Sequence, residues 1–131
     1  MVTPAPQRRC RARPGLRAQG TCQVIIITGS ITGRPDTIGE LVTASLEHVL
    51  RSRREPGCIS HSVYRDVENP LRLVFIEQWA SLAAVRAHFA VPASAEFVRA
   101  AAALADSVPS LEMFTATPAG ELAAGDIPEG S

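Results

Sequence analysis

Four residues in this chain of 131 could share chemistry. Glu77 and Trp79 lie two positions apart, His88 follows nine residues after Trp79, and His61 precedes them. Residues two apart on a strand lie on one face, so Glu77 and Trp79 would share a face with Leu73 and Phe75. If that face and the His61 face of an adjacent strand turn toward the same helices, the four residues meet in one cleft. The cleft would then hold an aromatic wall, two possible bases and a carboxylate to orient one of them. Imidazole suits the role of base because its ordinary pKa lies near neutrality. Leu73 and Phe75, with Phe89 and Phe97 from helical stretches, would supply an apolar lining. A carboxylate among apolar strand residues, as at Glu77, needs a partner.

The elements that must position these residues can be read from periodicity. Cys22 to Ile31 contains Val-Ile-Ile-Ile-Thr, a β-branched run that reads as a strand. Pro35 and Asp36 suit the first turn of a helix. From Thr37 to Arg54 a helical stripe runs through Ile38, Leu41, Val42, Leu46, Val49 and Leu50. Arg51, Arg53 and Arg54 crowd its last turn and read as a solvated helix end. Pro56-Gly57 stops it. Cys58 to Asp66 alternates, with Ile59, His61 and Val63 on one face and Ser60, Ser62 and Tyr64 on the other. A short link through Glu68-Asn69-Pro70 leads to a second strand, Leu71 to Trp79, giving a hairpin. Ser81 caps a helix through Phe89. Pro92 breaks it, and Ser94 to Asp106 forms a second helical piece striped by Phe97, Val98, Ala101 and Leu104. Leu111 to Thr117 is a last strand. The order βαββαβ, with its second helix in two pieces, is an α+β, ferredoxin-like arrangement: an antiparallel sheet with helices on one face. Tyr64, Val74 and Ile76 make the other face too apolar for water, and pairing with a second copy of the chain would cover it.

Composition sets the bounds. The chain is 46% hydrophobic and 20% charged with zero formal net charge, which suits one domain with a core. Residues 1–20, with five of the thirteen arginines and no acid, read as a disordered extension; residues 21–117 form the domain; residues 118–131 read as an acidic, flexible tail. The body is nearly balanced in charge, so no nucleic-acid or membrane partner is called for. No stretch approaches the length of a membrane span. Three cysteines, Cys10, Cys22 and Cys58, lack zinc spacing and point to reduced thiols in a cytoplasmic protein. With no DxH, HExxH or glycine-rich phosphate motif, neither metal nor nucleotide chemistry is expected.

The segment Glu55-Pro56-Gly57-Cys58-Ile59-Ser60, then Tyr64-Arg65-Asp66, Phe75-Ile76-Glu77-Gln78-Trp79-Ala80-Ser81 and His88, resembles the antibiotic biosynthesis monooxygenase family, close to the small bacterial quinol monooxygenases. The resemblance spans roughly residues 22–117. It implies a homodimeric α/β barrel in which His88, Trp79 and Glu77 serve catalysis; His61, at a position where relatives often carry an aromatic, is added as a candidate base from its strand face alone. It also implies oxygenation of a phenol, quinol or polyketide-like aromatic by molecular oxygen with no cofactor, the substrate supplying the electrons. The protein would bind the substrate in a dry pocket, take its proton and stabilise the resulting charge. Two departures narrow this. In anthrone-oxidising members the tryptophan acts with an Asn four residues before it and a Tyr six after it; Phe75 and Val85 stand there. The haem-degrading branch uses a first-strand Asn, whereas Asn69 lies in the hairpin turn. Two other functions fit the same scaffold: a proton-transferring isomerase of small phosphorylated molecules, and a non-catalytic ligand-binding module.

Overall fold

In the computed structural model, residues 23–121 and 125 are described. The expectation of a disordered residue 1–20 segment and most of that for residues 118–131 lie outside them, as do Cys10 and Cys22. Seven elements follow in order: β1 (Val24–Thr32), α1 (Ile38–Ser52), β2 (Cys58–Arg65), β3 (Arg72–Trp79), α2 (Leu82–Ala90), α3 (Pro92–Leu104) and β4 (Ser110–Ala116). The strands form one antiparallel sheet in the order β2-β3-β1-β4. This is the ferredoxin-like α+β arrangement that the sequence predicts, with the second helix in two pieces.

Alternation fixes which side chains reach the helices. Along β1, Ile25, Ile27 and Ile31 are buried, and along β3 so are Leu73, Phe75, Glu77 and Trp79. Antiparallel register sets Ile27 opposite Glu77 and Ile25 opposite Trp79. Two apolar clusters fill the layer between sheet and helices. One joins Ile31, Leu41, Val49, Leu73, Phe75 and Ala101; the other joins Ile25, Ile27, Cys58, Trp79 and Val85. Glu77 sits between them along β3. The opposite sheet face carries Tyr64 and Ile76, both exposed.

Three local expectations are corrected. Helix α1 is rotated from its apolar stripe: Leu41, Ser45, His48, Val49 and Ser52 are buried, while Leu46 and Leu50 are about half exposed. Steps of four and three connect Leu41, Ser45, His48 and Ser52, so the inward stripe is partly polar. Pro35 and Asp36 lie in a turn before the helix rather than in its first turn. That turn is held by Thr37, whose Oγ1 accepts from the Arg34 N–H at 2.9 Å and donates to the Leu104 carbonyl at 2.7 Å. In β2 a bulge between Cys58 and Ser60 shifts the alternation. Cys58 and His61 therefore both point into the layer, and Ile59 is turned outward.

Candidate functional site

The chain has three histidines, and all three meet. α1 delivers His48, β2 delivers His61 just past its bulge, and α2 delivers His88 three residues after buried Val85. All three are at least 95% buried. Ring centroids are 5.3 Å apart for His48 and His61, 5.2 Å for His48 and His88, and 5.7 Å for His61 and His88. One ring nitrogen from each lies within 4.8 Å of those from the other two, so among the described residues these three could hold a metal ion.

Each imidazole has a charged neighbour. Glu55, in the turn between α1 and β2, places Oε1 3.0 Å from His88 Nδ1. Glu77 places Oε1 3.2 Å from His61 Nε2, and the same oxygen accepts the Trp79 indole N–H at 2.9 Å. The His61 contact is electrostatic rather than a well-aligned hydrogen bond, and both His61 ring nitrogens are buried without a hydrogen-bond partner. Arg51 donates from a terminal guanidinium nitrogen to His48 Nδ1 at 2.7 Å. Arg53 donates to the His61 carbonyl at 2.9 Å. The arginines expected at a solvated helix end are thus partly tied to the site, because α1 ends directly over β2.

Burial, then the neighbouring His61, His88 and Arg51, push the His48 imidazole down to about 3, so it stays neutral. Burial pushes the Glu77 carboxyl up, but His61, the Trp79 N–H and His88 outweigh it and hold the carboxyl below its ordinary value. Burial, with Glu55 and Glu77 nearby, pushes the Cys58 thiol up to about 11, which fits an inert core thiol rather than a nucleophile.

The cluster opens on a cavity of about 310 Å³ between the sheet and α3. Its walls include His48, Glu77, His88, Phe75, Phe89 and Phe97, and it continues past Gly29 to Leu111 of β4. Apolar walls with a few convergent polar groups are the usual make-up of a small-molecule site. Gly29 keeps that passage open where β1 meets β4. A Cβ there would lie 3.0 Å from the Ser110 carbonyl oxygen and 3.2 Å from Leu111 Cδ1. Phe97 stacks on His48 with centroids 4.2 Å apart.

The expected site residues separate into three groups. Glu77, His88, Phe75, Phe89 and Phe97 line the cavity. Trp79 and His61 stand behind that wall: the indole is fully buried, packs on His88 at 4.6 Å, and anchors Glu77 rather than facing the cavity. Leu73 belongs to the neighbouring apolar cluster and does not reach the cavity. His48 and Glu55 are the residues that sequence reasoning missed. The inward stripe of α1 would have indicated His48 had polar residues been counted in it. Nothing in the spacing of Glu55, which lies beyond the helix, indicates its contact with His88.

Residues 24–100 match the sequence profile described as antibiotic biosynthesis monooxygenase. A Synechocystis sp. protein, sll1783, of uncharacterised function, is 38% identical over 80 residues, covering 61% of this chain and 54% of that protein. The chain therefore spans about half the length of this curated relative. Among solved structures, an antibiotic biosynthesis monooxygenase superposes with a TM-score of 0.67 at 24% identity, covering 72% of this chain and 99% of the other. Protein SO0527 from Shewanella oneidensis gives 0.68 at 24% identity, covering 72% and 92%. A candidate antibiotic biosynthesis monooxygenase from Deinococcus radiodurans gives 0.72 at 21% identity, covering 76% and 99%. These structural likenesses establish the fold, and the profile match covers more than half of the sequence. The chain belongs to the antibiotic biosynthesis monooxygenase family.

Proposed function

We propose that this protein is a monooxygenase that oxidises an electron-rich aromatic of the phenol or quinol class with molecular oxygen, working as a homodimer. The observation that carries this reading is the opening of a buried imidazole–carboxylate cluster onto an aromatic-lined cavity of about 310 Å³. That volume is at the small end for ligand pockets and suits one or two fused rings.

In this reading the ring lies among Phe75, Phe89 and Phe97, and its hydroxyl points toward His88 and His48. Loss of the hydroxyl proton in the imidazole cluster makes the ring electron-rich enough to reduce oxygen. One oxygen atom enters at a ring C–H position as a new carbonyl and the other leaves as water, the substrate providing all the electrons. Glu55 holds His88 in position, and Glu77 holds His61, with Trp79 fixing the carboxylate. The apolar walls would limit water around the ring, which would otherwise quench the intermediates. The partner copy would cover the outer sheet face, where Tyr64 and Ile76 are exposed.

The phosphate-isomerase alternative gains no support. Among the described residues no arginine lines the cavity, and Arg72 is paired with Asp66 at 3.1 Å on the outer face.

Oxygen uptake with a panel of hydroquinones, substituted phenols and anthrones tests the proposal. Substrate-dependent uptake should fall by about 100-fold or more in His88→Ala, the usual scale for a lost proton-transfer group. Uptake by the unaltered protein no faster than in buffer, across the panel, would overturn it.

A further inference from the structure

We propose that His48, His61 and His88 form a binding site for one divalent late first-row transition-metal ion, with an open coordination position facing the aromatic cavity. The inference goes beyond the oxygenase reading and departs from the metal-free chemistry that the family resemblance implies. It stands on the cluster itself.

Several independent observations converge on it. Three imidazoles from three separate elements bring ring nitrogens within 4.8 Å of one another, and no histidine in the chain lies elsewhere. His61 is buried, and among the described residues neither of its ring nitrogens has a hydrogen-bond partner. Such an orphan is costly unless something else meets it. The surrounding groups have the form that orients imidazole ligands, a carboxylate behind the ring. Glu55 behind Nδ1 of His88 leaves Nε2 of that ring with its lone pair, and Glu77 lies 3.2 Å from Nε2 of His61. His88 is therefore set in a ligand-ready tautomer. Metal–imidazole bonds of about 2.0–2.1 Å in a tetrahedral site place the nitrogens about 3.4 Å apart, so nitrogens within 4.8 Å need to draw together by at most about 1.4 Å. All-imidazole sets favour zinc, copper, iron and their neighbours over magnesium or calcium. Three protein ligands with a fourth position free make an open site, in which a bound ion supplies a counter-charge to a substrate phenolate or a bound hydroxide.

Arg51 makes the inference specific. It donates to His48 Nδ1 and so places the proton of that neutral ring on Nε2, the wrong tautomer for Nε2 ligation. The ion must displace this guanidinium. Arg51 therefore opposes binding, both as a cation and through the tautomer that it selects.

The test uses untagged, full-length protein stripped with chelator and titrated separately with zinc(II), cobalt(II) and copper(II), without substrate. Calorimetry and metal analysis give stoichiometry and affinity, and the visible absorption of the cobalt form reports its coordination. Expected are one equivalent per chain, a loss of more than about 100-fold in affinity in His48→Gln and His61→Ala, and a loss of about 10–100-fold in Glu55→Gln and Glu77→Gln. Arg51→Met should bind more tightly than the unaltered protein, which a merely structural cluster would not produce. Binding should persist in Cys10→Ser/Cys22→Ser. If His61→Ala fails to fold, His48→Gln and Arg51→Met decide the matter. No saturable binding, binding undiminished in folded His48→Gln, or binding lost with the two cysteines overturns the inference. The readout needs no turnover, so an ion-binding protein that oxidises no quinol would sink the oxygenase reading and leave this one standing.

Discussion

The layer between sheet and helices has two halves built on opposite principles. In one, Leu41, Val49, Leu73, Phe75 and Ile31 form a continuous apolar cluster. In the other, three imidazoles and two carboxylates occupy the same depth in the same layer, between Phe75 and Trp79 along β3. The apolar half gains stability from dispersion and from apolar surface removed from water. The polar half pays a desolvation cost for each charged form and recovers it only through partners. A fold does not need a buried cluster of this kind to hold together, so its presence points to function.

The largest expected effect breaks the apolar half. Leu41 has no exposed surface. Leu41→Ala should lower unfolding free energy by about 2–5 kcal/mol, the range for deleting a buried leucine side chain. Denaturant titration measures it, and a loss under about 1 kcal/mol would show that this half is not the tightly packed part of the layer.

The polar half should respond in the reverse sense when it is removed whole. Glu77→Leu alone takes the carboxylate from beside His61 and leaves the Trp79 N–H without its acceptor, and breaking a buried pair in this way costs about 3–5 kcal/mol. His61→Leu combined with Glu77→Leu removes the pair as a whole and should recover most of that loss, because apolar replacements of buried pairs are often neutral or stabilising. A double-mutant cycle in thermal unfolding reads the difference. If the double variant is no more stable than the single, the pair is a structural element and the contrast between the halves fails.

How far the two halves could be read from the sequence follows from the same contrast. The apolar half is legible because strand alternation and helical steps report apolar residues directly: period alone puts a strand at Leu71 to Trp79, and β3 runs Arg72–Trp79. The polar half is only partly legible. Glu77, Trp79 and His88 emerge from spacing and family likeness. His48 does not, since a stripe drawn through hydrophobic residues turns α1 toward Leu46 and Leu50, which are about half exposed. Burial of Ser45, His48 and Ser52 depends on what faces them across the layer, which local sequence does not carry. His61 falls on the correct face, but the bulge that swaps Cys58 for Ile59 is a tertiary event. Glu55 reaches His88 across 33 positions, and no periodicity relates them.

The turn joining the halves gives a smaller effect. Gly57, at φ +85°, leads into the bulge of β2, and a Cβ there would collide with Ala84 of α2. Gly57→Ala combines a left-handed backbone with a clash against a packed helix, so it should cost more than about 1 kcal/mol. It should also disturb His61 and His88 together, because the residue is held between their two elements. Paired shifts of both imidazole signals in an NMR spectrum, with the apolar half unchanged, are the expected result.

The smallest effect lies on the outer face of the sheet. The Asp66 carboxyl accepts the Glu68 N–H at 2.8 Å and pairs with Arg72 at 3.1 Å. Chiefly that N–H, with Arg72 helping, holds it below the ordinary 3.8. A carboxyl depressed in the folded state adds stability above its unfolded pKa and loses it as pH falls through the folded one. Asp66→Asn should therefore be less stable than the unaltered protein at neutral pH, and the gap should narrow below about pH 3.8 and close under further acid. Salt should shrink the gap too, because the pair is exposed to solvent and screened. Acid titrations of unfolding at low and high salt check both trends. A gap that is insensitive to salt and persists in acid would mean that Asp66 acts through its turn geometry alone, and the outer face would then carry no electrostatic stabilisation to set against the buried pairs within.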